Sequence, residues 1–172
     1  LQLLARCVYD EIQQQTGAPK GRGNIARIFR TVPALTEAEQ NMGKVTGIGG
    51  IFFKASDQEG TLRWLQENLG IPAEDWGSMF KWRDRENPEA KGYTVLGVFK
   101  ADSDYFDPSP QPFMVNFRVD DLDSVLDSLR SKGIEPVKVF PPEPNGWFAH
   151  VIGPDGVKFE LWEPAADDPY DP

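Results

Sequence analysis

Between about residue 44 and residue 164 the apolar positions of this chain alternate between two periods. Residues 47–53 and 113–119 read as strands whose side chains point in turn to opposite faces. Each runs into an acidic turn and then into a helix of about three turns. In the second helix Leu122, Val125, Leu126 and Leu129 recur at i, i+3, i+4 and i+7, the stripe of an amphipathic helix. Ser56-Asp57-Gln58-Glu59 has the form of a capping box, and Asp120 or Asp121 can cap the second helix. Gly70 and Gly133 suit the left-handed position that ends a helix. Further strands are expected over residues 78–83, 93–100, 137–140, 147–152 and 157–163. Gly153-Pro154-Asp155-Gly156 is a turn that makes the last two a hairpin.

These elements repeat. With residues 50–71 laid over 114–134, Phe53 falls on Phe117, Lys54 on Arg118, Asp57 on Asp121, Leu62 on Leu126 and Leu65 on Leu129. The offset is about sixty-four residues, and Gly70-Ile71 meets Gly133-Ile134 after a one-residue deletion. The Pro-rich run 107–112 separates the copies. An internal repeat of this kind means two similar supersecondary units sharing one core. They span about residues 44–106 and 112–164 of a compact domain covering 42–164.

The flanks differ in character. Residues 1–41 read as a helical arm, with Leu1, Leu4, Val8 and Ile12 at helical spacing and a second short helix over residues 24–32 ended by Pro33. No known motif accounts for it, and Met42 is a candidate native start of the compact domain. Residues 165–172 are acidic and Pro-bearing, the composition of a loose tail.

The 172 residues carry a formal net charge of −9, and residues 42–172 hold thirteen Lys and Arg against twenty-three Asp and Glu. That balance opposes a nucleic-acid backbone or an anionic membrane surface as partner and makes a cationic or neutral ligand easier to accept. No apolar run approaches a membrane span. The single cysteine, Cys7, excludes a disulfide within the chain and a cysteine-only zinc site, in keeping with a cytoplasmic setting. Dinucleotide, Walker, nucleophile-elbow and H-E-x-x-H motifs are all missing.

Three segments, in order, resemble one family. Gly47-Ile48-Gly49-Gly50-Ile51-Phe52-Phe53 with Asp57 and Leu69-Gly70-Ile71 looks like the first half of vicinal-oxygen-chelate (glyoxalase/bleomycin-resistance/dioxygenase-like) proteins. Residues 113–123 are similar to the start of their second half, and Gly153-Pro154-Asp155-Gly156 through Glu160-Leu161 resembles their closing hairpin. The resemblance implies an α+β fold. Two βαβββ modules would form a curved mixed sheet, with a concave ligand cup and helices on the convex side. It also implies a homodimer as one arrangement, and it leaves function open, because the superfamily holds metal-dependent enzymes and metal-free binding proteins alike.

Strand alternation assigns the faces. Ile51, Phe53, Val115, Phe117, Val119, Phe159 and Leu161 should meet the helices. Phe52, Lys54, Met114, Asn116, Arg118, Phe148, His150, Lys158, Glu160 and Trp162 should face the cup, an aromatic surface with a few polar groups. That mixture suits a small molecule. Lys54 and Arg118 could hold an anionic group or simply partner nearby acids. Phe52, Met114, Trp147 and Trp162 are pocket walls or core. Trp64, Trp76 and Trp82 are expected to be structural.

The metal positions of the family fall, residue by residue, on Gly50, Met114 and Glu160, with a further carboxylate expected near Val98 or Phe99. Only Glu160 can serve, so no metal and no other cofactor is expected. Glu160 is then a buried paired carboxylate (with Lys158, Arg118 or Lys54), a ligand contact or a general base. His150, the one histidine, either transfers protons beside it or fills an aromatic wall. The first functional expectation is a binding protein for a small aromatic or cationic molecule. The alternative is a glyoxalase-like lyase or dioxygenase-type enzyme using Glu160 with His150 or a metal. The third is a ligand sensor whose residues 1–41 contact a partner.

Overall fold

The structure, a computed structural model, describes residues 43–85 and 87–170. The arm expected over residues 1–41 and the start at Met42 lie outside the described residues. All described residues belong to the compact unit Glu37–Pro172.

The first module runs β1 (Val45–Ala55), α1 (Gln58–Leu69), β2 (Gly77–Arg83) and β3 (Lys91–Lys100). The second runs β4 (Phe113–Val119), α2 (Leu122–Ser131), β5 (Lys138–Val139), β6 (Gly146–Ile152) and β7 (Lys158–Pro164). Both helix starts follow the sequence signal. Asp57 accepts from the Gly60 amide at 2.8 Å and Asp121, its repeat mate, from the Ser124 amide at 2.9 Å. These bonds hold the Asp121 carboxyl below the usual carboxylate range. Gly70 ends α1 at φ 65°, and its amide and that of Ile71 reach back to Gln66 and Leu65. Gly133, at φ 77°, does the same after α2.

All strands join one curved mixed sheet in the order β2-β3-β1-β4-β7-β6-β5. β1 lies parallel to β3 and β4 parallel to β7, while β1 and β4 pair antiparallel at the centre. Ile51 pairs with Val115, its own mate in the repeat, so the two modules are related by a local twofold axis through that pair. The symmetry extends to two tight turns, Glu74 to Gly77 and Glu143 to Gly146, each closed by a pair of backbone hydrogen bonds. It breaks between helix and turn. Gly133 is ten residues from Glu143, whereas Gly70 is four from Glu74, and only the longer connection has room for an edge strand. The first module therefore has two strands after its helix and the second has three.

The helix side of the sheet is packed unevenly. In the second module Leu122 and Leu126 of α2 bury against Val119, Ala149, Val151 and Leu161, with Phe117 and Phe159 at the margin. In the first, Leu62 is the buried residue of α1. Ile51, expected beneath a helix, keeps 45% of its surface exposed. At the start of α1, Gln58 Nε2 donates to the Val98 carbonyl at 2.6 Å. Trp64, Trp76 and Trp82, expected as structural, are all exposed. The acidic tail is held where composition suggests a loose segment: Asp168 is buried and accepts a 2.7 Å bond from the Tyr93 hydroxyl. Among the described residues no helix is long and apolar enough to cross a membrane.

Replacing Leu126 by Ala should lower unfolding free energy by about 2–5 kcal/mol, and Asp121→Ala by about 1 kcal/mol through loss of the cap. Urea denaturation of both variants, compared with Leu62→Ala, checks that the second module carries the tighter core.

Candidate functional site

The face opposite the helices forms a cup of about 360 Å³, within the range of small-molecule sites. Its wall contains Gly49, Phe52, Tyr93, Val95, Tyr105, Asn116, Phe140, Glu143, Asn145, Phe148, Glu160 and Trp162. Phe148 on β6 and Trp162 on β7 are cross-strand partners and lie parallel within 2°, ring centroids 5.9 Å apart. Their stack is one side of the cup. Phe140 and Tyr105 form the other side, 6.5 Å apart. A roomier hollow at residues 55–59 and 100–102 lies around the start of α1, away from this face.

Glu160 is the polar centre. Its Oε1 accepts from Asn116 Nδ2 at 2.7 Å. Its Oε2 accepts from the Tyr105 hydroxyl and meets His150 Nε2 at 2.6 Å. Register explains the convergence: Asn116 pairs with Glu160 across β4 and β7, and His150 pairs with Glu160 across β6 and β7. Three adjacent strands thus present the three side chains on one face. Tyr105 arrives from the 3-10 turn Asp104–Phe106 in the connection between modules. Burial, then the charge and hydrogen bond of Glu160, push its hydroxyl well above the ordinary phenol range, so it stays a donor. A buried carboxylate is tolerated only when its lone pairs are met, and here both oxygens are.

The expected cup residues divide into wall and support. Phe52, Asn116, Phe148, Glu160 and Trp162 line the cup. His150 does not: it is 1% exposed, behind Glu160, edge-on to Tyr105 and Phe140. Met114 is fully buried in a cluster with Phe52 and Phe106. Lys158, placed on the cup face by alternation, does not pair with Glu160. Its Nζ donates to the carbonyls of Tyr105 at 2.6 Å and Asp107 at 2.8 Å, fixing the turn that carries Tyr105, and burial lowers its pKa. Lys54 lies 5.2 Å over the Phe106 ring, and Arg118 lies over Trp162 at 4.7 Å and Trp82 at 5.2 Å. Neither reaches Glu160 by hydrogen bond. Trp147 has the opposite parity and lines a different hollow with Leu122 and Glu163.

Gly49, Tyr93, Val95, Tyr105, Phe140, Glu143 and Asn145 belong to the wall without having been expected there. Tyr93 and Val95 share one face of β3, and Phe140 ends the strand expected over residues 137–140, opposite Phe148; strand parity was a signal available for all three. Tyr105, Glu143 and Asn145 come from turns and connections, where periodicity carries no information.

No family model matches the chain, and no curated protein matches it. Solved structures do. A methylmalonyl-CoA epimerase in complex with methylmalonyl-CoA and NH4+ is 18% identical, covers 73% of this chain and 99% of its own, and superposes with a TM-score of 0.54. A Streptomyces coelicolor methylmalonyl-CoA epimerase variant in complex with 2-nitronate-propionyl-CoA is 18% identical, covers 72% and 100%, and gives 0.53. This epimerase belongs to the vicinal-oxygen-chelate superfamily. The chain has the vicinal-oxygen-chelate fold. Identity this low establishes the fold and nothing finer.

Metal-using members of this superfamily imply a divalent ion, and the described residues at the equivalent positions do not fit one. Gly50 has no donor, and Met114 offers a thioether inside the core. On β3 the position equivalent to Glu160 is Gly97: Phe52 pairs with Gly97 as its mate Asn116 pairs with Glu160. The carboxylate position thus lies one residue before the expected Val98. A Cβ on Gly97 would come within 2.6 Å of the Phe52 ring, and one on Gly50 within 2.8 Å. An aromatic ring occupies the first module's share of the site, and three protein donors occupy the carboxylate of the second. Among the described residues no three His, Cys, Asp or Glu side chains form a group that could hold an ion.

Tyr105→Phe should cost about 1–2 kcal/mol of stability, leaving Glu160 with two donors. Glu160→Leu should cost about 3 kcal/mol or more by stranding Asn116, Tyr105 and His150. Urea midpoints give both values; equal costs would show that the network does not act as a unit.

Proposed function

We propose that this vicinal-oxygen-chelate protein holds a small, flat molecule in its aromatic cup without a divalent metal. The observation that carries the reading is the engagement of both Glu160 oxygens by Tyr105, Asn116 and His150. A divalent ion needs about three or four protein ligands, and these contacts leave one lone pair on Oε1 with no second ligand beside it among the described residues. The aromatic wall supports the rest: Phe52, Phe140, Phe148 and Trp162 supply apolar area, and a few polar atoms orient the guest. The acidic balance of residues 42–172 makes nucleic acid an unfavourable partner. A homodimer and a cytoplasmic setting are part of the same proposal.

A second reading rests on the 2.6 Å pair of His150 and Glu160. Glu160 lines the cup and could take a proton from an acidic carbon of a bound molecule, with His150 steadying the carboxylate from behind. The epimerases of the same fold make this reading relevant.

Titration of tryptophan emission with a panel of small aromatic compounds separates the two. The binding reading expects a saturable shift, reduced in Trp162→Phe, with the compound recovered unchanged. Conversion of the compound that disappears in Glu160→Gln, with circular dichroism unaltered, would establish proton-transfer catalysis instead.

A further inference from the structure

The polar atoms of the cup wall are unevenly committed. Every donor for which a bond is seen already has a protein acceptor: Tyr93 donates to Asp168, Tyr105 and Asn116 to Glu160, and Trp162 Nε1 to the Asn145 carbonyl at 2.9 Å. Two acceptors of the wall matter for a guest. Asn116 is 3% exposed, yet its Oδ1 has no partner. Its orientation follows from chemistry, because the amide nitrogen must face the Glu160 carboxylate. Oδ1 therefore lies over Gly49, a wall residue, where a Cβ would come within 2.0 Å of it. The second acceptor is the exposed carboxylate of Glu143 at the rim, which forms none of the ion pairs among the described residues.

No Lys or Arg is among the wall residues. Lys158 is turned to backbone carbonyls, and Arg118 is stacked on Trp162 and Trp82. A carboxylate or phosphate entering the cup would meet two carboxylates and an amide oxygen with no cationic side chain among the wall residues to receive it. A buried acceptor without a donor is costly, and a guest that supplies one relieves that cost.

We infer that the cup takes a ligand whose polar end is a cationic hydrogen-bond donor, a primary ammonium on a flat apolar body, seated between Asn116 Oδ1 and the Glu143 carboxylate. The aromatic wall adds attraction for a cation. This rests on the small-molecule reading above and specifies the chemistry of the molecule.

The test compares 2-phenylethylamine with 3-phenylpropionate, similar in size and opposite in charge, on the full chain at low ionic strength. Tryptophan emission and the amide NMR signals of the cup residues report binding. The amine should bind about tenfold more tightly than the carboxylate and should shift the Asn116 side-chain amide signal. Glu143→Gln should reduce the ratio about threefold or more. Gly49→Ala, whose methyl takes the space of Asn116 Oδ1, should abolish the preference. If that variant fails to fold, Glu143→Gln, at an exposed position, still decides the matter. Equal or tighter binding of the carboxylate, or a ratio indifferent to Glu143→Gln, overturns the inference and leaves the small-molecule reading standing. Absence of any shift with either probe counts against both.

Discussion

The convergence of Tyr105, Asn116 and His150 on the Glu160 carboxylate is the interaction on which the cup depends. Each donor comes from a different stretch of chain, brought together by sheet register and by the connection between modules. A charge buried on a sheet face is tolerable only with such a set. Tyr105 serves twice: its hydroxyl satisfies Glu160, and its ring stacks on Phe99 within 9° and closes the cup opposite Phe148 and Trp162. Lys158 holds Tyr105 in place through backbone carbonyls.

The two modules share a backbone plan and divide the chemistry. Phe52 and Asn116 are repeat mates, as are Gly97 and Glu160. In the first module the Phe52 ring lies over Gly97; in the second Asn116 donates to Glu160. The same asymmetry appears on the opposite face, where α2 seals its half of the sheet and α1 leaves Ile51 exposed. The symmetric fold therefore supports a one-sided site, with the carboxylate network drawn from the second module and the turn at Asp104–Phe106.

Much of this was legible in the sequence because the repeat could be read twice. Asp57 and Asp121, Gly70 and Gly133, and the strand parities around Phe52, Asn116 and Glu160 follow from local physics: caps, left-handed glycines and period-two alternation. Parity says which face a side chain leaves from, not how far it reaches or what it meets. Met114, Lys158 and His150 share the cup face and are absorbed into its floor, and Lys54 and Arg118 settle over rings rather than on Glu160. Tyr105, Glu143 and Asn145 were invisible because they stand in turns, whose placement depends on tertiary contacts. Composition marked residues 165–172 as a loose tail and gave no sign of the bond that Asp168 accepts from Tyr93.

The most direct test is calorimetric titration of chelator-treated protein with nickel, zinc, manganese and ferrous ions, in parallel with Glu160→Gln. With Glu160 engaged by three protein donors, no ion should bind stoichiometrically in a manner that depends on Glu160. Binding of one ion per chain that is lost in Glu160→Gln would contradict the account, because it would require the network to open and release the carboxylate as a metal ligand.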